Sequence, residues 1–398
     1  MKPQALFASL VITLVSTAAS AQIQIITRLN SGVNAHSIAA FAGVTLLDSA
    51  APFALFVTPA GQESDFYQAR LQSAPGVVWA EDDENISTPE DLKTKGGSLS
   101  VIGGRDELVV RNKKMLRQIH WNSYLANQGT NTVRMAILDT GLSKQQPELW
   151  KMVDAFEDEQ TVGGNADDLP MGIDSNQNGI FDEGVGHGTM VAGIVNIVAP
   201  KVRLLIAKVA DSDGHATAWT LIKGLVFAHN NGAVVANVSL GSPMEIVALS
   251  DVSDWCDEVG LYWVAPAGNT NQAQAWYPAK ISSVVCVTGL DAHDRKADFS
   301  NWDSGAVCTA PAVGITTQWW DGTLGQGSGT SFAAPFVSAS IAEFLRHRGT
   351  VSESIQKTVH DAGSSIDLQN MAFKGKLGTK INFLGLLLSQ LGGFFPKP

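Results

Sequence analysis

Residues 133–141 read VRMAILDTG, an apolar run without polar alternation that ends on an acidic residue and a glycine-containing turn. A strand with one wet face alternates apolar and polar residues, so this run belongs to a strand covered on both faces. Similar runs follow: VRLLIAKVA (202–210), GAVVANVSL (232–240), LYWVAPAG (261–268), SVVCVTG (283–289) and GAVCTAP (305–311). Helical patterns such as AWTLIKGLVFAHNNG (218–232) separate them. Buried strands alternating with helices predict an α/β domain over residues 115–398, a parallel sheet with helices on both faces. Such sheets gather their functional groups at the carboxyl ends of the strands, which singles out Asp139.

The chain of 398 residues is 45% apolar and 16% charged, ample for a buried core. A net charge of -11 argues against binding to nucleic acid or anionic lipid, both of which favour basic faces. Residues 1–21, MKPQALFASLVITLVSTAASA, combine a lysine, an apolar run from Ala5 to Val15 and a small-residue ending. This is the pattern of a secretory signal peptide cleaved before Gln22. The run falls short of the roughly 20 residues of a membrane-spanning helix. INFLGLLLSQLGGFF (381–395) is also too short and is broken by glycines, so it reads as a packed terminal helix. The expectation is a secreted, soluble monomer, extracellular or periplasmic, with no membrane span. Three cysteines, Cys256, Cys286 and Cys308, permit at most one internal disulfide, and no Cys or His spacing suggests zinc.

Between the leader and the α/β domain, residues 22–86 carry strand-like IQIITRL, VTLLDSA, FALFVT and GVVWAED around helical NAHSIAAFAG and QESDFYQARLQSA. The order βαββαβ predicts a small α+β, ferredoxin-like unit. Residues 87–114 turn polar and mixed, and read as a linker open to proteolysis.

Three more residues join Asp139. His187 stands in GVGHGTMVAGIV (184–195), flanked by glycines directly before an apolar helix. A helix N-terminus disfavours a protonated ring, which leaves a neutral imidazole available as a base. Asn269 ends WVAPAGN, again a strand running into a glycine turn, and Ser331 opens the helix of GSGTSFAAPFVSASIAEFL (327–345). A serine there is a natural cap. Pro335 is out of place in either reading, because it cannot donate the bond that the Ser331 carbonyl would receive.

The motifs ILDTG, GHGTMVAG and GTSFAAP, in the order Asp, His, Ser, resemble the three active-site signatures of the subtilisin-like serine peptidases. VANVSLGSP (235–243) resembles that family's substrate-binding strand, and AGN followed by YPAK its oxyanion-hole segment. The unit over residues 22–86 resembles its inhibitory chaperone propeptide. Met190 and Phe332 depart from residues common in the family, outside the triad.

The resemblance implies a secreted serine endopeptidase made as an autoinhibited proenzyme, with a maturation site in residues 87–114 and the propeptide as partner in cis. Ser331 would be the nucleophile, His187 the base, Asp139 its orienter and Asn269 an oxyanion donor. Protein or peptide substrates would lie as an extra strand along Ser239, Leu240 and Gly241, with Ala267 and Gly268 walling the pocket before the scissile bond. No cofactor is required for that chemistry. A loop, DSNQNGIFDEG (174–184), offers oxygens at Asp174, Asn176, Asn178 and Asp182 for a structural calcium, but has Val185 where such loops place a bidentate acid. An acidic surface loop is the competing reading. Cys286 and Cys308 would lie on neighbouring strands of such a sheet and could pair; three buried thiols is the alternative. Two other functions compete: an inactive subtilisin-fold binding protein, and an N-terminal unit that acts as a protease inhibitor.

Overall fold

The computed structural model describes residues 22–89, 97–98, 104–160, 164–351 and 353–389, with 97–98 described by backbone alone. The signal-peptide reading of residues 1–21 lies outside them. The chain divides into two compact units, one reaching to Asp82 and the other running from Asp83 onward.

In the first unit, β1 (Gln24–Leu29), α1 (Ala35–Ala42), β2 (Thr45–Ala50), β3 (Phe53–Val57), α2 (Ser64–Gln72) and β4 (Val77–Asp82) follow the βαββαβ order. The strands form an antiparallel sheet in the order β2-β3-β1-β4. Ile25, Leu29, Ile38, Phe56 and Leu71 bury its core between the sheet and its two helices. The Asn34 side chain caps α1 and Gly43, in the left-handed region, ends it.

The second unit opens with β5 (Asn85–Ser87), β6 (Gly97–Ser98), α3 (Arg105–Arg111), α4 (Lys113–Gln118) and β7 (Arg134–Asp139). Then come α5 (Pro147–Trp150), β8 (Val153–Asp158), α6 (His187–Val198), β9 (Arg203–Lys208), β10 (His215–Thr217), α7 (Ala218–Asn230), β11 (Ala233–Val238) and α8 (Val247–Val259). β12 (Tyr262–Pro266), β13 (Val285–Leu290), β14 (Cys308–Pro311), β15 (Ile315–Gln318), β16 (Leu324–Gly327), α9 (Thr330–Arg348), α10 (Ile355–Ala362), β17 (Thr379–Lys380) and α11 (Phe383–Leu388) complete it.

Among the described residues, eight strands form one sheet in the order β17-β14-β13-β12-β11-β7-β9-β8, and all neighbours run parallel. Side chains alternate across it. Met135, Ile137, Leu204, Ile206, Val235, Val264 and Val287 share a core with α6 and α9. Leu138 faces the other way and is packed against Gly224 of α7. Helices therefore cover both faces, as the unbroken apolar runs require.

Every residue of α6 is buried, as is α9 from Thr330 to Arg346. An all-buried helix is what all-round apolar sequence produces. Part of the stretch read as linker is helical: Arg105 of α3 donates to the carbonyls of Asn196 and Ile197 at the end of α6. A cation on the last carbonyls of a helix satisfies unpaired acceptors and opposes the dipole. No described helix is long and apolar enough to cross a membrane.

Candidate active site

Asp139 is the last residue of β7 and His187 the first of α6. The chain enters α6 through Gly186 at φ +87°, a conformation that glycine adopts without strain. Gly188 lets the helix approach the strand end, since a Cβ there would lie 2.3 Å from the Gly141 carbonyl oxygen. The Asp139 Oδ1 lies 2.7 Å from His187 Nδ1 and accepts the Thr140 N–H. His187 Nε2 lies 3.1 Å from Ser331 Oγ in the first turn of α9. All three side chains are buried.

Pro335 finds its explanation in this turn. The Ser331 carbonyl, which the proline cannot serve, accepts the Ser239 hydroxyl at 3.0 Å. Asn237 Nδ2 donates to Ser239 Oγ, and the Ser338 hydroxyl, two turns further along α9, donates to Asn237 Oδ1. Four buried polar groups thus tie the nucleophile's helix to the end of β11 with every hydrogen bond made inside the core.

Asn269 is oriented by its neighbour. Its Oδ1 accepts both the Thr330 N–H (2.9 Å) and the Thr330 hydroxyl (2.8 Å). With the oxygen fixed by two donors, Nδ2 turns toward the cleft, where it donates to the Pro89 carbonyl at 3.0 Å. Gly268, at φ +103°, has its N–H on the Thr330 hydroxyl and leaves no room for a Cβ beside Asn301 and Trp276. The buried Asn301 holds this segment, accepting from Thr270 and Gln272 and donating to the Ala267 carbonyl.

Ser239, Leu240, Gly241 and Ala267 are buried in the same wall. Gly241 exchanges both main-chain hydrogen bonds with Ser87, antiparallel. On its other side β5 pairs with β10, Ser87 opposite His215. Residues 85–87 thus lie as a strand inserted between Gly241 and β10.

This arrangement can activate a serine hydroxyl and offer an amide N–H to a carbonyl oxygen held before it, the requirements of acyl transfer. Residues 130–371 match the model of the Subtilase family, peptidase S8. The chain belongs to the subtilase family of serine endopeptidases. It is 32% identical over 219 residues to Subtilisin BL of Lederbergia lenta, across 53% of this chain and 75% of that one. To M-protease of Shouchella clausii it is 30% identical over 252 residues, 61% of each chain. Fervidolysin from Fervidobacterium pennivorans, described as a keratinolytic enzyme related to subtilisin, shares the fold at a TM-score of 0.71 and 19% identity, over 96% of this chain and 62% of that one. A cold adapted subtilisin-like serine proteinase gives a TM-score of 0.53 at 25% identity, over 64% of this chain and 92% of that one.

One residue of this subtilase's site escaped the sequence reading altogether. Asp168 is fully buried, and its carboxylate accepts the N–H groups of Gly186 and Thr189 and the Thr189 hydroxyl at the start of α6. Burial pushes its carboxyl above the usual range, against the pull of Lys208 and these donors. Nothing in ADDLP marks it, because its partners stand 18 to 21 residues away. Asn237 did carry a signal, a lone amide in the apolar run VVANV.

The 174–184 loop is engaged differently. Asp174 accepts the N–H groups of Asn178 and Gly179; Asp182 accepts those of Met171, Gly172 and Ile173 and the Ser212 hydroxyl. Asn176 Oδ1 takes the Asn178 N–H, and Asn178 Oδ1 that of Ile180. For Asp182, partial burial is outweighed by these bonds, which hold its carboxyl below the ordinary range. Among the described residues no group of three or more His, Cys, Asp or Glu side chains could hold a metal ion. The oxygens expected for calcium already receive N–H donors within the loop.

The three cysteines are buried and unpaired. β13 and β14 are neighbours, but Cys308 lies opposite Val287. Cys286, one residue away, therefore points to the other face of the sheet, and the register forbids the disulfide. Burial pushes the Cys286 thiol up to about 12.

Proposed function

We propose that this subtilase is a secreted endopeptidase that hydrolyses protein substrates through an acyl-enzyme and is made as a proenzyme inhibited in cis by its N-terminal unit. Ser331 Oγ attacks the substrate carbonyl while His187 Nε2 takes its proton and then delivers it to the leaving amine. Asp139 holds the ring by Nδ1 and stabilises the charge that the ring acquires. The oxyanion forms against Asn269 Nδ2 and the main chain at the start of α9, whose positive dipole end faces it. Substrate binds as an added strand on Ser239, Leu240 and Gly241, with Ala267 and Gly268 beside the residue before the scissile bond. No cofactor enters any step, and the working form is a monomer.

The observation that carries this reading is the continuous chain from Asp139 through His187 to Ser331, with Asn269 bonded to Thr330 next to the serine. An active-serine phosphonate probe tests it. The purified protein should be labelled once its N-terminal segment is removed, and Ser331→Ala should not; absence of labelling from the processed wild type would sink the proposal. Replacing Asn269 with leucine should lower kcat by about 10²–10³ while leaving KM nearly unchanged.

A further inference from the structure

We propose that the protein cleaves its own chain immediately after Pro89, and that its cleft accepts proline before the scissile bond, which makes it a post-proline endopeptidase. The inference rests on the serine-peptidase reading above and adds to it the bond and the substrate class.

The register carries it. Glu84 receives the Ala218 N–H on its carbonyl, Ser87 exchanges both main-chain bonds with Gly241, and Thr88 donates to the Gly214 carbonyl. These bonds fix the strand along its length. Two residues beyond Ser87, past the end of β5, the Pro89 carbonyl meets Asn269 Nδ2 at 3.0 Å. The amide that serves the oxyanion thus already holds one particular carbonyl of this chain. Pro89 itself is buried, and so is Ile86, only 2% exposed three residues before it. Both ends of the segment are seated.

Ser331 Oγ would add to the Pro89 carbonyl carbon as its proton passes to His187. The C–N bond to the next residue in sequence, Glu90, then breaks as that proton reaches the Glu90 nitrogen. Water cleaves the resulting ester, leaving a carboxyl on Pro89, a free amine on Glu90 and Ser331 restored. Proline has no N–H, so the new C-terminal segment lacks one main-chain bond that any other residue could make there. The product is held less tightly than its alanine counterpart, which favours its departure.

The test uses the full chain. Wild type should acquire an N-terminus at Glu90 by intact mass and terminal sequencing, and Ser331→Ala should stay whole. Ile86→Asp, which puts a charge into a buried seat, should slow self-cleavage at least about tenfold. Because that variant also risks poor folding, the mature wild type is assayed independently with p-nitroanilides ending Ile-Ser-Thr-Pro and Ile-Ser-Thr-Ala. Release of nitroaniline from the prolyl peptide, sensitive to Ser331→Ala, is the expected result. An enzyme that takes the phosphonate label but starts at another residue and leaves the prolyl peptide intact would overturn the inference and leave the peptidase reading standing. Failure to label at all would overturn both.

Discussion

The two buried helices that deliver the reacting groups begin in opposite ways. At the start of α6 a charged acceptor, Asp168, sits on the N–H groups of Gly186 and Thr189. At the start of α9 the acceptor is neutral, the Asn269 amide oxygen on the Thr330 N–H. A helix N-terminus carries about half a positive charge, and a fixed carboxylate uses it up. At α6 the positive end is thus already met by Asp168, which holds the turn that carries His187, whereas α9 keeps its positive end for an oxyanion that exists only during reaction. The same helix feature is spent on structure at one site and reserved for chemistry at the other.

The largest effect should come from removing the charged cap. Asp168→Ala strips three buried donors of their acceptor and removes a carboxyl that the buried Lys208 acts on electrostatically. Each buried donor left unpaired costs about 1–3 kcal/mol, so urea unfolding should show a loss of several such increments, with kcat falling as His187 loses its support. A midpoint equal to wild type would break the contrast. Asp168→Asn sharpens it. The Asp168 carboxyl lies above its ordinary value of 3.8 in the folded chain, so the folded state holds the proton more tightly than the unfolded. That contribution is complete below the ordinary value and is lost as pH rises through the folded one. Asparagine does not titrate, so the variant's stability should vary less with pH across that window than wild type's.

A smaller effect is expected at the neutral end. Ser239→Ala removes the Ser239 donor from the Ser331 carbonyl beneath the nucleophile and deprives Asn237 Nδ2 of the Ser239 acceptor. The cost should be about 1–3 kcal/mol, with no new pH dependence because no charge is involved. Calorimetry at two pH values separates the cases: a pH-dependent loss at Ser239 would show that α9, too, leans on a titrating group.

The difference between the two helix starts also explains what could be read from sequence. Asp139, His187, Asn269 and Ser331 each stand at a strand end or helix start beside glycine, a local pattern that survives without coordinates. The sheet was equally legible, because β7, β9, β11, β12 and β13 lack polar alternation. The supports were not, since Ser239 reaches Ser331 across 92 residues and Ser338 reaches Asn237 across 101. Pro335 was one visible sign, an unexplained missing donor whose substitute only the fold could name, and the lone amide of Asn237 was the other. The polar run RDELVVRNKK read as linker because its helix is fixed by Arg105 on carbonyls 91 and 92 residues away. Cys286 and Cys308 were placed on neighbouring strands correctly, but a single step of register decides which face each takes.

The smallest effect should come from the 174–184 loop, where carboxylates again receive N–H groups but at the surface. Asp174 and Asp182 are shared among five backbone N–H groups and the Ser212 hydroxyl. A calcium ion would have to share these carboxylates with the donors that already hold them, which offsets part of what coordination contributes. Millimolar calcium or a chelator should therefore leave the Tm of the wild type unchanged. Asp182→Asn, by contrast, weakens the charge-assisted bonds that close the loop, and hydrogen exchange at Met171, Gly172 and Ile173 should speed up with or without calcium. A rise in Tm with calcium that disappears in Asp182→Asn would mean that the ion competes successfully with the backbone. The loop would then belong with α6, where a fixed charge is built into the structure, and not with the self-satisfied turns of the surface.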